Sequence, residues 1–152
     1  MGVIKPTLSL TSNASSATTD AGPLSVALSL SATDSLSVTK VVTKILDVKG
    51  THGDADGAGT LFDASTFASS LAAGTDGGFI YLKNHHATGH VYIGHGGATA
   101  LEGGTETVRI MTLLPGEFAF FPWDMTQDIC YDANGDHDAA LEAWLFIRTG
   151  TA

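Results

Sequence analysis

The amino-acid sequence predicts an all-β fold, and three features predict it. Apolar residues recur at every second position over most of the chain, turn-forming residues interrupt that alternation at intervals of roughly eight to twelve residues, and a single short stretch has helical spacing. A length of 152 residues suits one domain with a real core.

Taken in order, Thr7-Leu8-Ser9-Leu10-Thr11 places leucines on one face of a strand and hydroxyls on the other. A Ser/Thr/Ala/Asp-rich stretch ends at Gly22-Pro23, after which Leu24, Val26, Leu28 and Leu30 restore the alternation. Residues 1–23 therefore read as an N-terminal arm or edge strand, and residues 24–152 as the sandwich domain. Asp34-Ser35 marks a turn before Leu36 to Val48. Val38, Val41, Val42 and Ile45 also fit a helical stripe, but the β-branched Val38, Thr39, Val41, Val42 and Thr43 favour a strand that changes face at a bulge. Residues 49–59 form a glycine-rich loop. The one expected helix spans Ala64 to Ala72, capped by Asp63 or Ser65, with Phe67 and Leu71 on one side and Gly74 past its end.

From Gly77 the chain reads as a meander: Phe79 to Lys83, His90 to Ile93, Thr107 to Met111, Phe118 to Pro122, Asp128 to Tyr131 and Ala140 to Arg148. About nine short strands point to a jelly-roll-like sandwich or barrel with one short helix and an extended N-terminal arm. In the last strand Trp144 and Phe146 oppose Leu145 and Ile147, so both faces are apolar, and a helix or another subunit is expected to cover the outer one.

Composition narrows the function. Seven basic against sixteen acidic residues give a net charge of -9, a field that repels phosphates and disfavours nucleic acid and acidic lipid as partners. Charged residues make up only 15% of the chain, which suits a surface that meets other protein. Cys130 stands alone, so no intrachain disulfide is available, and its strand setting reads as a buried small hydrophobe. No leader pattern opens the chain and no apolar run approaches a membrane span, so a soluble protein is expected.

Two metal patterns stand out. His85, His86, His90 and His95 fall within eleven residues, and with Pro115-Gly116-Glu117 they bring a cupin to mind. The pair His85-His86 is adjacent where a cupin has His-x-His, and adjacent strand residues point to opposite faces. Asp132, Asn134, Asp136 and Asp138 alternate around Gly135 as cation-binding oxygens do. Counted from Asp132, the EF-hand's glycine and glutamate positions hold His137 and Ala143, so an acidic turn is the simpler reading. No serine sits in Gly-x-Ser-x-Gly, and Gly94, Gly96 and Gly97 lack a following Gly-Lys-Ser/Thr. Neither an enzyme nor a cofactor is expected.

Three segments resemble small β-rich structural proteins of tailed bacteriophages, marine and cyanobacterial phages in particular: Ser31-Ala32-Thr33-Asp34-Ser35-Leu36-Ser37-Val38, Gly77-Gly78-Phe79-Ile80-Tyr81-Leu82-Lys83-Asn84, and Leu114-Pro115-Gly116-Glu117-Phe118-Ala119-Phe120-Phe121-Pro122. The likeness spans about residues 24 to 148. It implies a decoration (cement) protein on the outer surface of an icosahedral head, made in the host cytoplasm, commonly a homotrimer, and bound to the major capsid protein. Such a protein binds the assembled shell and not its separated pieces, which shifts the equilibrium against disassembly. The expected contact residues are Leu8 and Leu10 in the arm, with Phe118, Phe120, Trp123 and Trp144, the same aromatics being candidates for the core. A phage tail or host-attachment component, a cupin-like metalloenzyme and a carbohydrate-binding module are the alternatives.

Overall fold

The computed structural model describes residues 2–4, 7–11, 27–31, 36–48, 58–68, 77–96, 101, 108–134 and 139–148. The chain divides into two compact units, Met1–Val38 and Thr39–Ala152. The expected arm boundary at residues 23 and 24 lies outside the described residues.

In the first unit, β1 (Gly2–Ile4) pairs antiparallel with Leu36, Ser37 and Val38, the start of β4 (Leu36–Val48). β2 (Thr7–Thr11) pairs antiparallel with β3 (Ala27–Ser31), a register that aligns Leu8 with Leu30 and Leu10 with Leu28. The two alternating segments read from the sequence are thus partners.

The second unit contains the rest of β4 and seven further strands: β5 (Gly59–Phe62), β6 (Gly78–Asn84), β7 (His90–His95), β8 (Arg109–Leu113), β9 (Phe118–Trp123), β10 (Ile129–Asn134) and β11 (Ala139–Arg148). Its two sheets run β4-β11-β6-β9 and β5-β10-β7-β8. Counted from β4 as first to β11 as eighth, these orders are 1-8-3-6 and 2-7-4-5. That is the winding of two interlocked Greek keys, a jelly roll, as expected from the strand pattern.

Period-two burial builds the core. Val91 and Ile93 on β7, Ile80 and Leu82 on β6, and Leu141, Ala143, Leu145 and Ile147 on β11 are buried between the sheets. From Val41 to Leu46 burial alternates without interruption, with 41, 43 and 45 exposed and 42, 44 and 46 partly buried. The expected change of face does not occur over this span. Val41 and Ile45 are apolar residues on the outer side, and they produced the helix-like spacing.

The helix α1 (Ala64–Ala68) is shorter than expected, and residues 69–76, including Leu71 and Gly74, lie outside the described residues. Asp63 caps it: Oδ1 accepts from the backbone N–H of Ser65 (2.7 Å) and Thr66 (3.2 Å) and from the Ser65 hydroxyl (2.6 Å). The cap aims Phe67 into the core, where its ring packs edge-on against Phe62 and Trp123 with centroids 6.2 Å away in each case.

Two turns set the ends of β9. At Leu114-Pro115-Gly116-Glu117 the Glu117 N–H donates to Leu114 O (3.0 Å) and Gly116 has φ +78°, so this is a type II turn with proline and glycine at the positions that require them. After β9, Met125 takes φ +60°, costly for a side chain of its size, yet it is buried in the core. Asp124 closes that turn by accepting from the Thr126 N–H (3.1 Å) and hydroxyl (2.8 Å), while Trp123 Nε1 donates to Gln127 O (2.9 Å).

Candidate functional site

The outer face of the β4-β11-β6-β9 sheet is where the molecule departs from an ordinary soluble surface. Antiparallel register places Trp144 beside Tyr81 and Phe146 beside Phe79, and on the next strand Tyr81 beside Phe120 and Phe79 beside Pro122. Phe79 and Phe120 stack at 5.3 Å with planes 3° apart, Phe120 meets Phe146 at 6.5 Å, Trp144 meets Phe146 at 6.1 Å, and Tyr81 meets Phe118 at 6.3 Å. Large apolar residues remain accessible across it: Ile45 is 81% exposed, Phe118 62%, Val41 48%, Phe120 39% and Trp144 37%. An apolar face of this kind is a candidate interaction site, whereas single exposed residues such as Ile110 need no such explanation.

Of the four aromatics that were open to either a contact or a core role, Phe118, Phe120 and Trp144 lie on this exposed face. Trp123 does not. It points inward, 6% exposed, with its ring 6.1 Å from Phe62, because odd positions of β9 face the core and even positions face out. Trp123 is thus a core residue and not the contact residue expected from the sequence. Leu8 and Leu10 lie in β2, but their side chains are outside what the structure describes. Phe146 joins the face as the apolar outer side of the last strand predicts, while Val41, Ile45, Phe79 and Tyr81 join it without having been named as contact residues.

Polar groups cluster at one end of the face. Glu142 accepts from His85 Nε2 through Oε2 (2.6 Å) and from Trp144 Nε1 through Oε1 (2.7 Å), and lies in register with Lys83. The hydrogen bond from His85, then that from Trp144, holds its carboxyl below the usual range. A depressed folded-state pKa contributes stability that is present above the unfolded value and is lost as pH falls through the folded one. Glu142→Gln is therefore expected to destabilise the protein slightly at pH 7, by less than about 1 kcal/mol for so exposed a pair, with the difference from the parent shrinking as pH falls through the folded-state pKa. Thermal melts of both proteins across that range check it.

The four histidines do not converge. His85 is bound to Glu142 in the loop after β6, and His86 Nδ1 accepts from the backbone N–H of Gly89 (2.7 Å) and Thr88 (3.1 Å). His90 opens β7 and His95 closes it, with His95 Nδ1 donating to Gln127 Oε1 (2.9 Å). Five strand residues put the two about 16 Å apart. Among the described residues no three His, Cys, Asp or Glu side chains form a group able to hold a metal ion. The inward positions where a cupin-like ligand set would have to point carry Ile80, Leu82, Val91 and Ile93. Asp132 is buried on β10, with Oδ1 accepting from the Ala133 N–H (2.8 Å); Asp136 and Asp138, and the side chain of Asn134, lie outside the described residues.

Cys130 is fully buried on β10, and its thiol donates to the Gly96 carbonyl. Burial, reinforced by the Asp128 carboxylate, pushes it up to about 11. The thiolate fraction at neutral pH is then negligible. A thiol reagent is expected to leave the native protein unmodified over hours and to titrate one thiol within minutes in denaturant; mass spectrometry checks this.

Phe79 and Phe120 stack on each other, so one face of each ring is covered by the other. An open depression of about 530 Å³ borders Phe118, lined by Met111, Leu113, Gly116 and Glu117 among others. No helix among the described residues is long and apolar enough to cross a membrane.

No family model matches the chain, and no curated protein does. Among solved structures, a chain from work described as "Bacillus endospore appendages form a novel family of disulfide-linked pili" is similar at 15% identity with a TM-score of 0.47, over 82% of this chain and 98% of that one.

Proposed function

We propose that this protein is a non-catalytic structural subunit that works by docking other protein onto the outer face of its β4-β11-β6-β9 sheet. One observation carries the reading: Val41, Ile45, Phe118, Phe120 and Trp144 stay accessible on a single sheet face, although burying them would be worth about 25 cal/mol for each Å² removed from water. Fold alone does not assign a role, and the site has to.

Within that class, the phage resemblance supports a virion component. A tail or host-attachment part needs only the exposed face. Head decoration needs in addition a second contact with a capsid shell. The tail or attachment placement asks for less and is taken first, with capsid decoration second. Gold-labelled antibody on intact particles tests it: label at the tail or its appendages is the expected result, label over the head favours decoration, and particles without the protein exclude both.

A further inference from the structure

We infer that the partner seated on this face is a second copy of the chain, packed face to face about a two-fold axis that runs along the strands between β11 and β6. The inference rests on the docking face proposed above and adds the identity of its occupant.

Two features carry it. The first is self-complementarity. A two-fold axis lying in the contact plane between the two central strands exchanges β11 with β6 and β4 with β9. Register then brings Lys83 over the partner's Glu142, and Trp144 over the partner's Tyr81. The aromatic pair Phe118 and Phe120 on β9 falls over the partner's β4, where the smaller branched side chains of Val41 and Ile45 stand out. Opposite charges and large-against-small apolar contacts are thus generated by one operation. The net charge of -9 opposes association of two copies at long range, and the paired Lys83 and Glu142, which sum to zero, add nothing to that repulsion at the face itself.

The second feature is size. Four strands about 4.8 Å apart and about seven residues of 3.3 Å each make a footprint on the order of 400 Å², and side-chain relief raises the accessible area buried. A total near 1,000 Å² lies at the weak end of specific interfaces. The dimer is therefore expected to be concentration-dependent, with a dissociation constant in roughly the micromolar to hundred-micromolar range, and repetition in an assembly supplies avidity.

Sedimentation equilibrium from about 1 μM to 1 mM tests this, with circular dichroism on every variant to confirm folding. The parent is expected to dimerise. Ile45→Lys, at an already exposed position, and Phe120→Lys are each expected to weaken the dimer at least about 30-fold, the loss typical of a hot-spot residue. Lys83→Glu and Glu142→Lys should each weaken self-association, and an equimolar mixture of the two should recover it as a mixed dimer. A chain that is monomeric at 1 mM, that forms a trimer, that keeps its dimer in Ile45→Lys, or whose charge variants show no recovery on mixing overturns the inference. A monomer whose face is nevertheless shielded in the intact particle would leave the docking face standing and exclude only the second copy.

Discussion

Replacing Trp123 by alanine is expected to lower the unfolding free energy by about 4 kcal/mol, whereas Trp144→Ala costs less than about 1 kcal/mol. Both are tryptophans on outer-to-inner alternating strands of one sheet, and only the side they face differs. Trp123 fills the space between Phe62 and Phe67 and donates to the Gln127 carbonyl, so its removal leaves a cavity and an unpaired acceptor. Trp144 rests on Phe146 and Glu142 at the surface, so its loss is felt mainly by whatever docks there. For a chain of this size a loss of 4 kcal/mol shifts the melting temperature by roughly 8–16 °C. Calorimetry on the two variants distinguishes them, and equal shifts would contradict the division of the sheet into a core face and a contact face.

Asn84→Ala is expected to cost about 3 kcal/mol. Asn84 is fully buried, and its side-chain amide donates to the Gly89 (2.7 Å) and Leu113 (3.1 Å) carbonyls while its Oδ1 accepts from the His86 N–H (3.0 Å). Its backbone N–H donates to Glu117 O and its carbonyl accepts from Gly116, at 3.0 Å each. One residue thus ties the loop after β6 to the type II turn before β9. Alanine keeps the backbone bonds and drops the side-chain ones, leaving buried carbonyls unpaired in the core. Asn84→Asp should be worse at neutral pH, since a carboxylate has no N–H to give. Urea denaturation with an unchanged m-value measures the loss, and faster hydrogen exchange at residues 85–89 localises it.

Such residues show what could be read from the sequence. Strands β6, β7 and β11 were legible because a buried inner face imposes strict alternation, and about nine short strands separated by turns pointed to a jelly-roll-like sandwich or barrel. β9 was not legible in its facing. In Phe118-Ala119-Phe120-Phe121-Pro122-Trp123 aromatics stand on both sides, so nothing local separates the exposed Phe120 from the buried Trp123. β4 misled for the same reason, since an exposed Ile45 looks like a core residue. Asn84 directly follows the Phe79 to Lys83 strand, where asparagine has the character of a turn former, and its burial depends on carbonyls 5 and 29 residues away, which no local pattern encodes. The histidines looked clustered because sequence proximity hides the length of β7, which holds His90 and His95 at opposite ends.

Covalent surface footprinting tests the docking face most directly, comparing the diluted chain with the same protein in the particle or oligomer that incorporates it. The expected result is strong labelling of Ile45, Phe118, Phe120 and Trp144 in the diluted chain and protection of all four on assembly, with exposed residues of the other sheet, such as Ile110, labelled equally in both. Unchanged labelling of those four residues in the assembled state would contradict it.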